Sequence, residues 1–381
     1  MSATEGASVP FLRGILTRSL QKAGLQFEDA YEIASTVRDR LGKRGEVQGN
    51  ELRAIVVQIL EKRGHTECIE SYLRSRNETP SITVHTSDGS EAPFSKSQLA
   101  DSLEITALPR EELHDIAAGI ENELLDQGRQ SVTSAELTAM VMEALQALPH
   151  KHAAPDYERW VRFSHSGKPM VILIGGTTGS GKSSVSAEIA HRLDIVRTQS
   201  TDMLREIMRL LVPERLIPTL HTSSFDAYRK LPMGGETATA DEMINGYLTQ
   251  SSQVGVGIEG VLSRTANESV SLIIEGVHLH PRLMAYIAQK ADFVVVPVVL
   301  AVLKEKRLKK RLLGRGHMIQ SRRSERYLKN FDHIWDLQSF LLDEAEDYDV
   351  PIVPNGDEEA TIRAILQTVS NVLRTEFDHA A

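Results

Sequence analysis

The chain has 381 residues, 41% of them apolar and 25% charged, enough material for two or three packed domains. Its 52 acidic residues outnumber 43 basic ones, and the net charge of −9 speaks against a surface built for bulk nucleic acid or acidic membrane. A single cysteine, Cys68, excludes an intrachain disulfide framework, a zinc ribbon and a Cys-x-x-Cys redox pair, so a cytoplasmic location is expected.

The N-terminal stretch MSATEGASVPFLRG lacks a basic segment followed by an apolar one, so no secretory signal is read there. An internal repeat follows. Residues 9–45 align without a gap with 92–128 at an offset of 83, pairing Pro10 with Pro93, Leu20 with Leu103, Ile33 with Ile116 and Gly45 with Gly128. After a two-residue insertion, NELRAIVVQIL (50–60) matches AELTAMVMEAL (135–145). The shared positions are apolar or turn-forming, which describes a shared fold. Each unit reads as three amphipathic helices, in the second roughly 97–105, 110–126 and 134–147, with Ser134 a cap and Gly128 a stop. Ahead of the second unit, Ile82, Val84 and His85 begin a strand, and Asp88-Gly89 signals a hairpin turn. The first unit shows no comparable hairpin. Residues 149–169 read as a linker with one short helix carrying Trp160 and Phe163.

From Pro169 the pattern alternates. Strands are expected at 170–175, 194–199, 271–275, 292–300 and 350–354, and the apolar run 291–303, interrupted by Pro297, is too short for a membrane span. Helices fit 182–193, 202–211, 240–265, 281–289, 303–313, 324–347 and 358–376. Such alternation predicts an α/β fold with a parallel five-stranded sheet, its ligands at the carboxyl ends of the strands.

Residues 176–183, Gly176-Thr177-Thr178-Gly179-Ser180-Gly181-Lys182-Ser183, fit G-x-x-x-x-G-K-[ST] between an apolar strand and a helix. The glycines let successive N–H groups curl around an anion, and the helix that opens at Lys182 offers Ser183 and Ser184 at its positive end. Lys182 can neutralise β- and γ-phosphates, and the Ser183 hydroxyl can ligate Mg²⁺. The segment is read as an ATP site.

In TDMLREIMR (201–209), Asp202, Arg205 and Arg209 recur at i, i+3 and i+7 and share a helical face beside that loop. Asp202 can orient an acceptor hydroxyl and the arginines can clamp an anion, or the group can cap and solvate a helix. SLIIEGVHLHP (271–281) ends an apolar strand in Glu275, a candidate for Mg²⁺ through water or for the acceptor; His278 is a weaker candidate for the acceptor, and a packed histidine is the commoner reading. HTSSFDAYRKLP (221–232) offers His221, Ser223, Ser224 and Tyr228 as pocket lining or loop supports. The basic stretch 304–331 holds Gly314 and Gly316 around Arg315, a hinge pattern, followed by Arg322, Arg323 and Arg326; a lid bearing arginines suits phosphoryl transfer, with Arg322 and Arg323 favoured. Asn355, after the last strand, is read near the nucleotide base.

GGTTGSGKSSVS, STDMLREIMR, LIIEGVHLHP, the stretch beginning SRRSERYLKNF and VPIVPN, in that order, resemble the 2-phosphoglycerate kinase family over about 169–375, and the N-terminal units resemble ATP-cone domains. The resemblance implies a P-loop kinase domain at 169–381 behind two ATP-cone-like helical units at 1–75 and 80–150. It implies ATP- and Mg²⁺-dependent phosphorylation of 2-phosphoglycerate to 2,3-bisphosphoglycerate, with Lys182, Asp202, Arg322 and Arg323 catalytic. Asp202, Arg205, Arg209, Glu275 and His278 would meet the acceptor, and Ser183 and Glu275 the metal. The expected partner is a small anionic phosphorylated substrate, without nucleic acid or membrane. Another phosphorylated polyol as acceptor and a nucleotide-responsive regulator stay open beside it.

Overall fold

The computed structural model describes all residues except 1–7, 11–12, 42–45, 67, 70–71, 73–81, 87–88, 233–238, 319–320 and 379–381. The Ser87-Asp88 half of the expected hairpin turn therefore lies outside the described residues. The chain divides into two compact units, residues 1–94 with 124–134, and residues 95–123 with 135–381.

In the first unit, β1 (Ser8–Pro10), α1 (Arg13–Lys22), α2 (Phe27–Leu41), β2 (Glu46–Gln48) and α3 (Gly49–Arg63) carry the first repeat. Leu20, Ile33, Val37, Val56 and Leu60 recur at helical spacing and are buried together, as amphipathic helices require. The same unit holds β3 (Thr83–His85), β4 (Glu91–Pro93) and β5 (Ser131–Thr133) in the order β4-β3-β5. The repeat offset carries β1 onto β4 and, after the insertion, β2 onto β5. In the second repeat β3 lies between these strands, antiparallel to β4 and parallel to β5. In the first repeat β1 and β2 pair directly and antiparallel. Among the described residues the first repeat thus has no strand between its flanking pair, which meet directly in the same relative direction as β4 and β5.

The second unit opens with α4 (Lys96–Ser102), whose first turn is capped by the Ser95 hydroxyl accepting from the Gln98 N–H. A 3-10 turn (Glu104–Thr106), α5 (Arg110–Asp126), α6 (Ser134–Gln146) and α7 (Ala153–His165) follow. The α/β part then runs β6 (Met170–Gly175), α8 (Lys182–Arg192), β7 (Arg197–Ser200), α9 (Thr201–Leu211), α10 (Ala240–Glu268), β8 (Leu272–Glu275), α11 (Pro281–Lys290), β9 (Val294–Ala301), α12 (Glu305–Met318), α13 (Ser321–Lys329), α14 (Phe331–Asp347), β10 (Ile352–Pro354) and α15 (Glu358–Asp378).

The five strands β6–β10 are parallel in the order β10-β9-β6-β8-β7. MVILIG in β6 is buried throughout, the continuous apolar run of a strand covered on both faces. Pro297 sits inside β9 at little cost to the ladder. The Val294 N–H donates to Pro169 O on the β6 side and the Val299 N–H to Pro351 O on the β10 side, so alternation turns the Pro297 nitrogen toward β10, before that strand begins. Several boundaries differ from expectation by a few residues, and two differ for a visible local reason. Asp194 takes a left-handed φ of 52° and Ile195 folds back to donate to Ala190 O, so the strand expected from 194 begins at Arg197. The long helix expected over 324–347 is broken at Asn330 into α13 and α14. No helix among the described residues is long and apolar enough to cross a membrane.

Candidate active site

The sheet order reverses at β6, and the loop leaving it occupies the crevice this creates. Gly176, Gly179 and Gly181 take φ of 132°, 90° and 92°, which aims successive N–H groups into one concavity. A β-carbon at Gly181 would overlap the Asn355 side-chain amide, which itself donates to Ser180 O at 2.7 Å. The loop is thus moulded against the end of β10. Lys182 is 7% exposed, and its ammonium donates to Thr177 O at 2.8 Å, folded back over the loop. The hydroxyls of Thr177 and Ser180 are buried without a hydrogen-bond partner, polar groups of the kind a bound anion satisfies.

Glu275 ends β8 beside this loop and accepts from the Ser183 hydroxyl at 2.9 Å. Gly276, the next residue, lets β8 lie against the start of α9, where a β-carbon would overlap the Thr201 side chain. Two clefts flank the loop. One, of about 450 Å³, is lined by Thr178, Ser200, Asp202, Arg205, Ser224 and Arg326 among others. The other, of about 410 Å³, is lined by Gly179, Gly181, Ser184, Arg311, Asn355 and Glu358.

Asp202 is exposed at the first turn of α9 and lines the first cleft. Arg205 lines it too, but its guanidinium also donates to the carbonyls of Leu220 and Thr222 and to Glu206, each at 2.9 Å. Arg209 pairs with Glu206 at 2.7 Å and is not among the residues lining the cleft. His278 is fully buried and does not line it either. Of the 221–228 group, Ser223 and Ser224 line the cleft, His221 bonds the Val212 carbonyl at 2.9 Å, and Tyr228 is in the core. The side chains of Arg322 and Arg323 lie outside the described residues. Arg326 is described: it donates to Asp226 Oδ2 at 2.8 Å and lies over the Phe225 ring at 5.7 Å, at the edge of the same cleft.

Sequence reasoning passed over Arg311, which donates to Ser180 O and to Asn355 Oδ1, each at 3.1 Å. Its signal was Leu308 and Leu312, fully buried at i and i+4: they fix the inward face of α12, and Arg311 sits beside Leu312. In the basic run, the cations around it masked this phase.

The ATP cone domain family matches residues 82–165. Over 288 residues the chain is 36% identical to the 2-phosphoglycerate kinase of Methanopyrus kandleri, covering 74% of this chain and 85% of that protein. It is 34% identical over 288 residues to the 2-phosphoglycerate kinase of Methanocaldococcus jannaschii, covering 76% and 91% respectively. It is 33% identical over 278 residues to that of Pyrococcus furiosus, covering 73% and 89%.

Proposed function

Because this chain belongs to the 2-phosphoglycerate kinase family, we propose that it transfers the γ-phosphoryl group of ATP to the free hydroxyl of 2-phosphoglycerate, giving 2,3-bisphosphoglycerate and ADP. The observation that carries this reading is the cleft beside the phosphate loop, lined by two guanidiniums, Arg205 and Arg326, and two carboxylates, of which Glu206 is paired with Arg205 and Arg209 and Asp202 faces the cleft exposed. An acceptor bearing a phosphate and a carboxylate needs such counter-charges, and its hydroxyl needs a base. In this reading the hydroxyl oxygen attacks the γ-phosphorus, the bond from it to the β–γ bridging oxygen breaks, and the hydroxyl proton passes to Asp202. Lys182 and the loop N–H groups hold the β- and γ-phosphates, and Arg322 and Arg323 bring charge over the transferred group.

Ser183 and Glu275 suit Mg²⁺. The pair is hydrogen-bonded at 2.9 Å, and among the described residues no group of three or more His, Cys, Asp or Glu could hold a metal ion. In this reading the Ser183 hydroxyl, with Glu275 through water, would hold the cation. Bound there, Mg²⁺ neutralises charge on the β- and γ-phosphate oxygens.

The ATP cone match over 82–165 supports regulation by nucleotide; by the internal repeat, we read a first such unit over 1–75, ahead of a second at 80–150 and the kinase domain at 169–381.

Purified protein is expected to consume ATP with Mg²⁺ only when 2-phosphoglycerate is present. Turnover with another phosphorylated polyol instead would replace the acceptor, and tight nucleotide binding without turnover on any acceptor would favour a nucleotide-responsive regulator. Arg326→Ala is expected to raise the acceptor KM on the order of tenfold to a hundredfold while changing the ATP KM far less, as the loss of a charge-assisted hydrogen bond implies. Steady-state kinetics with each substrate varied in turn measures this.

A further inference from the structure

Behind the acceptor cleft lies a set of buried polar side chains, of which only Ser224 reaches its lining. Thr201, Gln250 and His278 are fully buried, and Ser224 is 7% exposed. His278 Nδ1 is 2.9 Å from the Thr201 hydroxyl, and Nε2 is 3.1 Å from Gln250 Oε1 and 3.5 Å from the Ser224 hydroxyl. The Gln250 amide nitrogen donates to two carbonyls, Thr219 O at 2.5 Å and Thr222 O at 3.1 Å.

This arrangement leaves little freedom. Two carbonyl acceptors fix the amide nitrogen of Gln250 on their side, so its oxygen must face His278. Nε2 must then carry the proton, and Nδ1 accepts from Thr201. Burial in this setting pushes the His278 pKa down to about 4, with the neighbouring Asp202 opposing the shift, so the ring is neutral near pH 7. Being neutral, fully buried and committed at both nitrogens, it serves neither as a base nor as a phosphate ligand.

What the set joins is informative. Thr201 immediately precedes Asp202 at the start of α9, and Thr222 immediately precedes Ser223 and Ser224 on the opposite wall. Arg205 donates to the same Thr222 carbonyl that Gln250 holds. The two walls of the cleft are therefore spanned by one continuous chain of hydrogen bonds.

We propose that His278 and Gln250 are positioning residues, forming a buried relay from Thr201 to the Thr219 and Thr222 carbonyls that sets the spacing between Asp202–Arg205 and Ser223–Ser224 and so sets acceptor affinity. This rests on the kinase reading above. The relay touches the acceptor side of the phosphate loop only, so its loss should be felt by one substrate.

The test begins with wild-type turnover on 2-phosphoglycerate and a panel of phosphorylated polyols, which fixes the acceptor used afterwards. His278→Asn and Gln250→Met are expected to raise the KM for that acceptor about tenfold or more, as displacement of a substrate-positioning wall does, and to leave the ATP KM within about twofold. Gln250→Glu places a carboxylate at Nε2 that favours the imidazolium, so its acceptor KM should gain a pH dependence between about pH 5 and 8 relative to wild type. Circular dichroism melting shows which variants fold, and Gln250→Met and Gln250→Glu keep the test alive if His278→Asn does not. Folded variants whose acceptor and ATP KM move together, or do not move, overturn the relay while leaving the kinase intact. Wild-type protein that turns over no acceptor overturns the kinase reading and the relay with it.

Discussion

Lys182→Ala is expected to lower kcat on the order of a hundredfold to a thousandfold, the usual cost of removing one preorganised charge from a developing anion. The ammonium lies against the Thr177 carbonyl in a site only 7% exposed, where little water remains to screen it. Phosphoryl transfer asks the protein mainly for position and charge, so losing a buried cation at the phosphates touches the rate directly. ATP affinity should fall as well, while acceptor affinity, set in the cleft around Asp202 and Arg326, should change little. Lys182→Arg should not restore the rate. The loop is closed around a compact ammonium, and the broader planar fork of Arg differs in size and hydrogen-bond geometry. The comparison is made by single-turnover kinetics beside direct nucleotide binding. A variant that retains wild-type kcat would remove the loop from the chemistry.

The parts of this site legible in the sequence are those whose chemistry is local. The phosphate loop needs glycines, a lysine and a hydroxyl at fixed spacing between a strand and a helix, and every one of those demands is met within 176–183. Asp202 could be located because it opens the helix after the second strand of the sheet. Residues whose roles depend on distant partners stayed hidden. Arg209 shares sequence spacing with Asp202 and Arg205, yet Glu206 takes it up on its own helix. His278 follows Glu275 closely, but the buried set on α9 and α10 encloses it. Gln250 carries no signal inside a 29-residue helix, since its meaning lies in carbonyls of the 219–222 segment. The repeat was legible to the residue because apolar periodicity is local, and the direct pairing of β1 with β2 required the structure.

Arg192→Met is expected to destabilise the protein by about 3–5 kcal/mol, the cost of breaking a buried ion pair on one side only. The Arg192 side chain is 4% exposed and meets three carboxylates, Glu359 at 2.6 Å, Glu188 at 2.8 Å and Glu104 at 3.1 Å. Glu104 is as deeply buried as the arginine, at 6% side-chain exposure, and among the described residues would keep Arg110 alone as an ion-pair partner, at 3.1 Å and half exposed. For a unit of this size the loss corresponds to a Tm drop of roughly 10 °C. The pH dependence separates this mechanism from simple loss of packing. In the wild type, hydrogen bonds from Arg192 hold the Glu188 and Glu359 carboxyls below the ordinary 4.5. Their contribution is therefore present above pH 4.5 and is lost as pH falls through the depressed values. The buried His278 and His280, each lowered from 6.5 to about 4, add a contribution that is complete above pH 6.5 and fades toward pH 4 in both proteins alike. In the variant the carboxylates have lost their cation, and protonating them relieves the penalty. The stability gap between wild type and variant should thus be widest near neutrality and close only as pH falls below 4.5 through those depressed values. A gap that stays constant with pH in denaturant titrations would mean that Arg192 acts through its packed stem. Function follows from where the cluster sits. Arg192 ends the helix that Lys182 begins, and Glu359 opens the helix that follows Asn355, the residue moulded against Gly181. Glu104 and Arg110 come from the segment matched by the ATP cone family. Displacement at this cluster is carried along rigid helices to both ends of the phosphate loop, so Arg192→Met should also raise the ATP KM at temperatures where the variant is still folded.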